Sequence, residues 1–448
     1  MDGFTQEVKN FKQEWPEIRF IDLIFPDINA RPRGKRIPIE ALDKVDKGVY
    51  LPLSTLSLSV HGKVVEEAGL GEAIGEPDHI CYPIAGTLTP TFNPEVGQIM
   101  LNMMDRKGEK ETLMSPRVVL SQMMERLHAN NLFPVTAIEL EFYLIDKNRN
   151  DKGEIQPPVN PIHQGREFKS DVYNIENLDD YADFLSDLNI AAQAQGLNTS
   201  GALSESAPGQ FEINFNHQAD VINACDQVIY AKRLIRQVAL KHGFDVTFMA
   251  KPFADEAGNG MHIHLSVLDE HGQNRFSDTQ GDCSPFFYKT LTAMLAMMPE
   301  SMALLCPNVN SYRRFCPMMY TPTRADWAEN HRGVALRIPM SDSKNRRIEH
   351  RIAGADVNPY LLAAVVLSGL LASQQFVPEQ CPPALDEHAA SLPTRMADAL
   401  RTLSSSELIG MYLPQDFVSL YTACKDTELR EFEQAVTPLE VEWMLHSA

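Results

Sequence analysis

The 448-residue chain has no apolar stretch long enough to cross a bilayer. Its longest apolar run, LLAAVVLSGLLA at 361–372, falls short of the ~20 residues a spanning helix requires. That run follows an Asn-Pro helix start and reads as a buried helix. The opening segment MDGFTQEVKNFKQEW is polar and mixed in charge, unlike a secretory leader. Positive charge is scarce: 40 Lys and Arg against 60 Asp and Glu give a formal net charge of −20, which argues against a nucleic-acid partner. The 7 cysteines are odd in number and show no CxxC spacing, which points to free thiols in a reducing compartment. No GxxxxGK[ST] sequence occurs, so no P-loop is available to hold a nucleotide. These absences predict a cytoplasmic protein with neither membrane nor nucleic acid as partner.

What is present is ordinary globular composition, 44% hydrophobic and 22% charged. From about 17 to 110, short β-like runs (IRFIDLIF, GVYLPLSTLSLSV, QIMLNMM) alternate with Pro- and Gly-rich segments such as ARPRGKRIP and AGTLTPTFNP, which read as turns. The pattern turns helical at SPRVVLSQMMERLHANN. There Ser115 is placed to cap, Pro116 opens the helix, and Val118, Val119, Met123 and Leu127 make one apolar stripe. The expected division is a small β-rich domain at 1–112 and a larger domain at 113–448. Within the larger one, strands are predicted at 135–145, 210–216, 245–251, 260–268, 334–339 and 346–352. Helices are predicted at 178–195, 224–242, 284–304, 358–375, 394–404 and 428–446. The class is α+β, built around a sheet with one charged concave face.

That charged face is read from strand alternation. In GNGMHIHLS, His262, His264 and Ser266 share one side, with Ile263 and Leu265 on the other. In AIELEFYLI, Glu139 and Glu141 oppose Ile138, Leu140 and Phe142. In QFEINF, Glu212 and Asn214 oppose Phe211, Ile213 and Phe215, and Glu205 lies seven residues upstream in ESAPGQFE. In RRIEHRIAG, Arg347, Glu349 and Arg351 alternate with Ile348, His350 and Ile352. So many charges cannot be buried unpaired, so they require cations and anions between them. Five carboxylates with one imidazole (Glu139, Glu141, Glu205, Glu212, Glu349 and His262) suit two or three hard divalent ions, Mg²⁺ or Mn²⁺, rather than zinc. Arg314, Arg332, Arg337, Arg347 and Arg351 add groups that match phosphates and carboxylates by bidentate hydrogen bonding. Metals with arginines fit ATP-dependent activation of a carboxylate.

The ordered motifs ELEF, ESAPGQFE, GNGMHIHLS, NVNSYRRFCP, RIP and RRIEHRIAGADVNPYL resemble the glutamine synthetase superfamily from about residue 17 to the C-terminus. The resemblance implies a β-grasp-like N-terminal domain and a catalytic domain whose strands form a half-open funnel. It also implies self-association into a ring, hexamer or dodecamer, with each site completed by a neighbour's N-terminal domain. Carried over, Glu141, Glu205 and Glu212 hold one metal, and Glu139, His262 and Glu349 the other. His264, Ser266, Arg332, Arg337 and Arg347 take the ATP, while Arg314, Arg351 and the Gly258 backbone take glutamate. Arg332, Arg337 and Glu349 then form the catalytic set.

The chain departs from the ammonia-using members, which carry an Asp in a short N-terminal segment and a Glu in a flap after the NSYKR-like motif. Here those stretches read GVYLPLSTL and CPMMYTPTRADW, with Pro52 for the Asp and Tyr320 for the Glu. Proline binds no cation, and a phenol is a poor base at neutral pH. An aromatic ring with a hydrogen-bonding tip suits an organic amine instead. Trp327 is either a second aromatic wall or core packing, and Asp326 or Glu329 either meets a distal ammonium or is a solvated flap charge. The expectation is a glutamate–amine ligase resembling the γ-glutamylpolyamine (putrescine) synthetases, with ATP as co-substrate. A true glutamine synthetase, a non-enzymatic relative and a metallohydrolase are the competing readings.

Overall fold

The structure, a computed structural model, describes residues 3–167, 169, 171–316 and 320–447. Its first sheet gathers β1 (Phe20–Pro26), β2 (Pro32–Pro38), β3 (Val49–Pro52), β4 (Asp78–Pro83), β5 (Thr89–Pro90) and β6 (Val96–Met103). The order is β2-β1-β6-β4-β3, with β5 beside β6. Strand β1 runs parallel to β6 and antiparallel to β2, and Ile21, Leu23, Ile24 and Phe25 put it into the core.

Two sequence expectations fail in this sheet. The segment ARPRGKRIP is not a turn: most of it is edge strand β2. Its prolines stand at the two ends of the strand, and Gly34 (φ +143°) passes Leu23 so closely that a Cβ would lie 1.8 Å from the carbonyl oxygen. In GVYLPLSTLSLSV only Val49–Pro52 is strand, because the chain then coils into a 3₁₀ turn, Leu53–Ser57.

The second sheet comprises β7 (Phe133–Asp146), β8 (Thr199–Ser204), β9 (Gln210–Phe215), β10 (Phe244–Thr247), β11 (Met261–Leu268), β12 (Trp327–Glu329), β13 (Leu336–Ile338) and β14 (Ile348–His350). Its order is β12-β13-β14-β11-β7-β9-β8, with β10 also on β7. All pairs are antiparallel except β12 with β13. The apolar sides of β7, β9 and β11 (Ile138, Leu140, Phe142, Phe211, Ile263, Leu265) are fully buried in the core shared with the helices. Removing that surface from water is the main stabilising term, at ~25 cal/mol per Å².

Helices Pro116–Ala129, Val221–Lys241, Pro285–Leu305 and Pro359–Ala372 supply the other layer. Every residue of Pro359–Ala372 is buried, and Asn358 caps it by accepting from Tyr360 N. Ser115 stands in the extended cap position before Pro116, yet its side chain makes no capping bond. The helix predicted at 178–195 is two helices, Ile175–Asp180 and Ala182–Ala194, divided at Tyr181. The one predicted at 428–446 is the end of Gln415–Gln434 followed by a separate Pro438–Met444. Pro438 cannot donate into a continuing helix, and Thr437 with Glu440 forms a capping box that starts a new one. Helix Gly3–Glu14 and strand β8 had no sequence counterpart. Among the described residues, no helix is long and apolar enough to cross a membrane.

Candidate active site

The register of the second sheet brings the predicted residues together. Glu139 on β7 stands opposite His262 on β11 and, on its other side, Asn214 on β9. Two residues along, Glu141 stands opposite Glu212. On the far side of β11, His264 faces Glu349 of β14, which in turn faces Arg337 of β13. Alternation then places all these side chains on one face, opposite the apolar core.

His262 Nδ1 lies 3.0 Å from Glu139 Oε2 and 3.9 Å from Glu349 Oε1. His264 Nε2 lies 2.7 Å from Glu139 Oε1. Burial raises the Glu139 carboxyl, but hydrogen bonds from the two histidines outweigh it and hold the group well below its usual range. Arg337 donates to Glu349 at 2.8 Å and Arg351 donates to its other oxygen. Burial raises the Glu349 carboxyl, while the charges of His262 and Arg351 bring it below the usual value.

The Glu141 side is different in character. Gly260 N donates to Glu141 Oε2 at 2.7 Å, but no arginine or lysine forms an ion pair with Glu141 or Glu212 among the described residues. Burial, together with the charges of Glu139 and Glu141, pushes Glu212 up to about 9. Burial and the charge of Glu141 push Glu205 up to about 7. Carboxylates raised in this way mark a pocket short of positive charge, which is what a divalent cation would supply.

Two compact donor sets result, Glu139–His262–Glu349 and Glu141–Glu212–His262, each with donor atoms within 4.8 Å of one another. The second differs from the expected trio. His262 joins Glu141 and Glu212, whereas Glu205, half-buried on the loop before β9, is outside that tight group. Arg332 is exposed and close enough to Glu205 for its charge to lower that carboxyl.

A cavity of about 530 Å³ opens beside these groups, lined among others by Glu139, Asn214, His264, Ser266, Lys344 and Arg347. Arg347 Nε reaches His264 Nδ1 at 3.3 Å. Arg314 is buried, donates to Ile352 O at 2.7 Å, and passes so near Gly258 that a Cβ there would meet its Cγ at 2.8 Å. The Nε atoms of Arg314, Arg337 and Arg351 are buried without a partner. Buried guanidinium donors without a partner are costly unless an anion completes them.

The flap residues separate. Tyr320 is 76% exposed and takes a left-handed backbone, φ 49°. Asp326 is half-buried, and its Oδ1 accepts from Ala335 N at 3.0 Å. Trp327 is half-buried, packs against the core and donates from Nε1 to Pro382 O at 2.9 Å. Glu329 is exposed, and residues 317–319 of the flap lie outside the described residues. Pro52 sits exposed on β3, the outermost strand of the other sheet, opposite Asp78. Gln210 was not anticipated: its amide donates to Gly258 O, Asn259 Oδ1 and Glu141 Oε2, tying the glycine turn to the carboxylates. Its only sequence signal was its place beside Phe211 at the head of a strand.

Residues 113–444 match the family described as glutamine synthetase, catalytic domain. The chain belongs to the glutamine synthetase family. Over 100% of its length and 96% of the relative's, it is 45% identical to the γ-glutamylputrescine synthetase PuuA of Escherichia coli. It is 29% identical to a glutamate–isopropylamine ligase of a Pseudomonas species, covering 82% of this chain and 81% of that one. The solved structure of a GmaS/ADP complex superposes with a TM-score of 0.83 at 24% identity, covering 98% of this chain and 99% of the other, which establishes a common fold.

Proposed function

We propose that the protein is an ATP-dependent ligase joining the γ-carboxylate of glutamate to an organic primary amine through γ-glutamyl phosphate. The observation that carries this is one sheet face holding clustered carboxylates, with three arginines, Arg314, Arg337 and Arg351, whose Nε atoms are buried and unpartnered. An organic amine is favoured over ammonia by the full-length similarity to a γ-glutamylputrescine synthetase and by Pro52 and Tyr320, where ammonia users carry acids.

In this scheme Glu141, Glu205 and Glu212 hold one Mg²⁺ or Mn²⁺ and Glu139, His262 and Glu349 another, with room for a third. The ions, when bound, neutralise phosphate charge and act as Lewis acids. His264, Ser266 and Arg347 hold the phosphates of ATP. Arg314, Arg351 and the Gly258 backbone orient glutamate so that its γ-carboxylate oxygen attacks the terminal phosphorus as ADP leaves. Arg332 and Arg337 stabilise the charge spread over the transferring phosphoryl group. The amine nitrogen then attacks the acyl carbon, phosphate departs, and the amine proton passes to solvent. Tyr320 offers its ring and hydroxyl to the incoming amine. Residues 1–112 act as a β-grasp-like domain whose Pro52 edge completes the next subunit's site in a ring, hexamer or dodecamer, while 113–448 carry out the reaction.

The test is phosphate release with ATP, Mg²⁺ and glutamate across putrescine, longer polyamines, ethanolamine, isopropylamine, aromatic amines and ammonium. Release is expected to rise with one class of organic amine and far less with ammonium. Ammonium matching the best amine at equal concentration would overturn the assignment.

A further inference from the structure

Arg314 is the terminal residue of a short 3₁₀ turn, Val309–Arg314. Such a turn has little rigidity of its own, since six residues make few internal hydrogen bonds. This one is fastened on two sides. Asn310 exchanges a pair of hydrogen bonds with the backbone of Lys251, donating from Nδ2 to its carbonyl at 2.9 Å and accepting from its N–H at 2.8 Å. On the opposite side a single oxygen, Asp356 Oδ2, accepts from Asn308 Nδ2 and from Ser311 Oγ, both at 2.7 Å. Ser311 Oγ in turn accepts from Asn308 N at 3.1 Å, closing the capping box that starts the turn.

Asp356 is itself fixed. The carbonyls of its two neighbours, Ala355 and Val357, both accept from the buried ammonium of Lys232, at 2.5 Å and 3.4 Å. Ala355 N donates to Asn259 O, next to the Gly258 turn. The same corner narrows the path of the Arg314 side chain. A Cβ on Gly354 would lie 2.6 Å from Asp356 Oδ1 and 3.5 Å from Arg314 Cδ, and one on Gly258 would lie 2.8 Å from Arg314 Cγ. Arg314 therefore runs between two glycines, with its one observed bond to Ile352 O. The direction of its unpartnered Nε is set by where the turn is anchored.

We infer that Asp356 is a positioning residue for glutamate: through Asn308 and Ser311 it holds the 3₁₀ turn that aims Arg314. This rests on the assignment of Arg314 to glutamate. Among the described residues the Asp356 side chain bonds to Asn308 and Ser311 and to none of the candidate metal donors, so its effect runs through the turn. An arginine misplaced by ~1 Å is enough to cost on the order of 10²-fold in a reaction dependent on orientation.

The experiment measures KM for glutamate and for ATP, kcat and melting temperature in Asp356→Ala, Asp356→Asn, Ser311→Ala and Arg314→Ala, each as the full chain with Mg²⁺. Asp356→Ala is expected to raise the glutamate KM at least ~10-fold while the ATP KM stays within about twofold. Asp356→Asn, which keeps an acceptor oxygen, should recover most of the loss, and Ser311→Ala should show a smaller rise of the same kind. An unchanged glutamate KM in Asp356→Ala, or equal rises for glutamate and ATP, overturns the inference. Where Asp356→Ala does not fold, Ser311→Ala decides: a selective rise supports the positioning role and no rise ends it. Arg314→Ala separates the two levels. If it leaves the glutamate KM unchanged, the assignment of Arg314 fails; if it raises that KM while Asp356→Ala does not, only the positioning role fails.

Discussion

Arg337 and Glu349 face each other across β13 and β14 at 2.8 Å, and the Glu349 side chain is 1% exposed. A carboxylate so buried is tolerable because Arg337 and Arg351 take one oxygen each.

Glu349→Ala is expected to lower turnover by at least ~10²-fold, because it removes a metal donor and lets two guanidiniums reorient. Two arginines left without their counter-charge should also cost stability of about 3–5 kcal/mol. Phosphate release and denaturant melts read the two effects separately. Substantial residual turnover would remove Glu349 from the metal set.

Glu212 stands opposite Glu141 with no arginine or lysine ion pair among the described residues, and burial together with the charges of Glu139 and Glu141 acts on it. In protein stripped of metal, Glu212→Gln should raise the melting temperature, because it removes a carboxyl whose ordinary ionisation is suppressed in the fold by burial and by those charges. Mg²⁺ added to the native chain should stabilise it, by ~2.7 kcal/mol at a hundred times its Kd. The variant should lose most of that gain. A thermal shift with Mg²⁺ that is undiminished in Glu212→Gln would contradict the assignment.

Tyr320 holds a left-handed backbone while mostly exposed, a conformation costing ~1 kcal/mol in a residue with a side chain. Tyr320→Gly should therefore leave stability equal or slightly higher, yet raise the KM for the best amine about tenfold or more. The glutamate and ATP constants should not move. An amine KM indifferent to this change would place the amine elsewhere.

Lys232 offers a pH signature. Burial pulls its ammonium down to about 7 from an ordinary 10.5, with the charge of Arg236 adding to the effect. Because the folded-state value is depressed, this group's contribution to stability is fullest above ~10.5 and is lost as pH falls toward ~7. Lys232→Met lacks the dependence. The difference in denaturant midpoint between native chain and variant should thus shift in favour of the native chain from pH 7 to 10, and parallel curves would refute it.

Much of the charged face was legible from the sequence because period-2 alternation is local: Glu139 with Glu141, His262 with His264, and Glu349 between Arg347 and Arg351. What alternation cannot supply is register. That His262 belongs to both donor sets, and that Glu205 stays outside the tight one, depends on how strands far apart in sequence slide against each other. The flap was read less well for the same reason. Asp326 accepts from a backbone N–H and Trp327 donates to a carbonyl 55 residues away, neither visible in the local pattern. Asp356 and Asn308, 48 residues apart, lie within the motifs RRIEHRIAGADVNPYL and NVNSYRRFCP, but nothing in either motif shows that the two side chains meet. The break at Pro438 was legible and was overridden by the helical periodicity around it.

Strand β7 pairs with β9, β10 and β11, and Glu139 meets a histidine 123 residues further along the chain. Contacts so distant in sequence carry a large loop-closure cost and form slowly. Glu349, the final donor, arrives only when β14 docks on β11. During synthesis Glu139, Glu141, Glu205 and Glu212 thus leave the ribosome well before Arg337, Arg347 and Arg351. The donor set Glu139–His262–Glu349 is therefore complete only once the strand latest in the sequence is in place, whatever has formed before it.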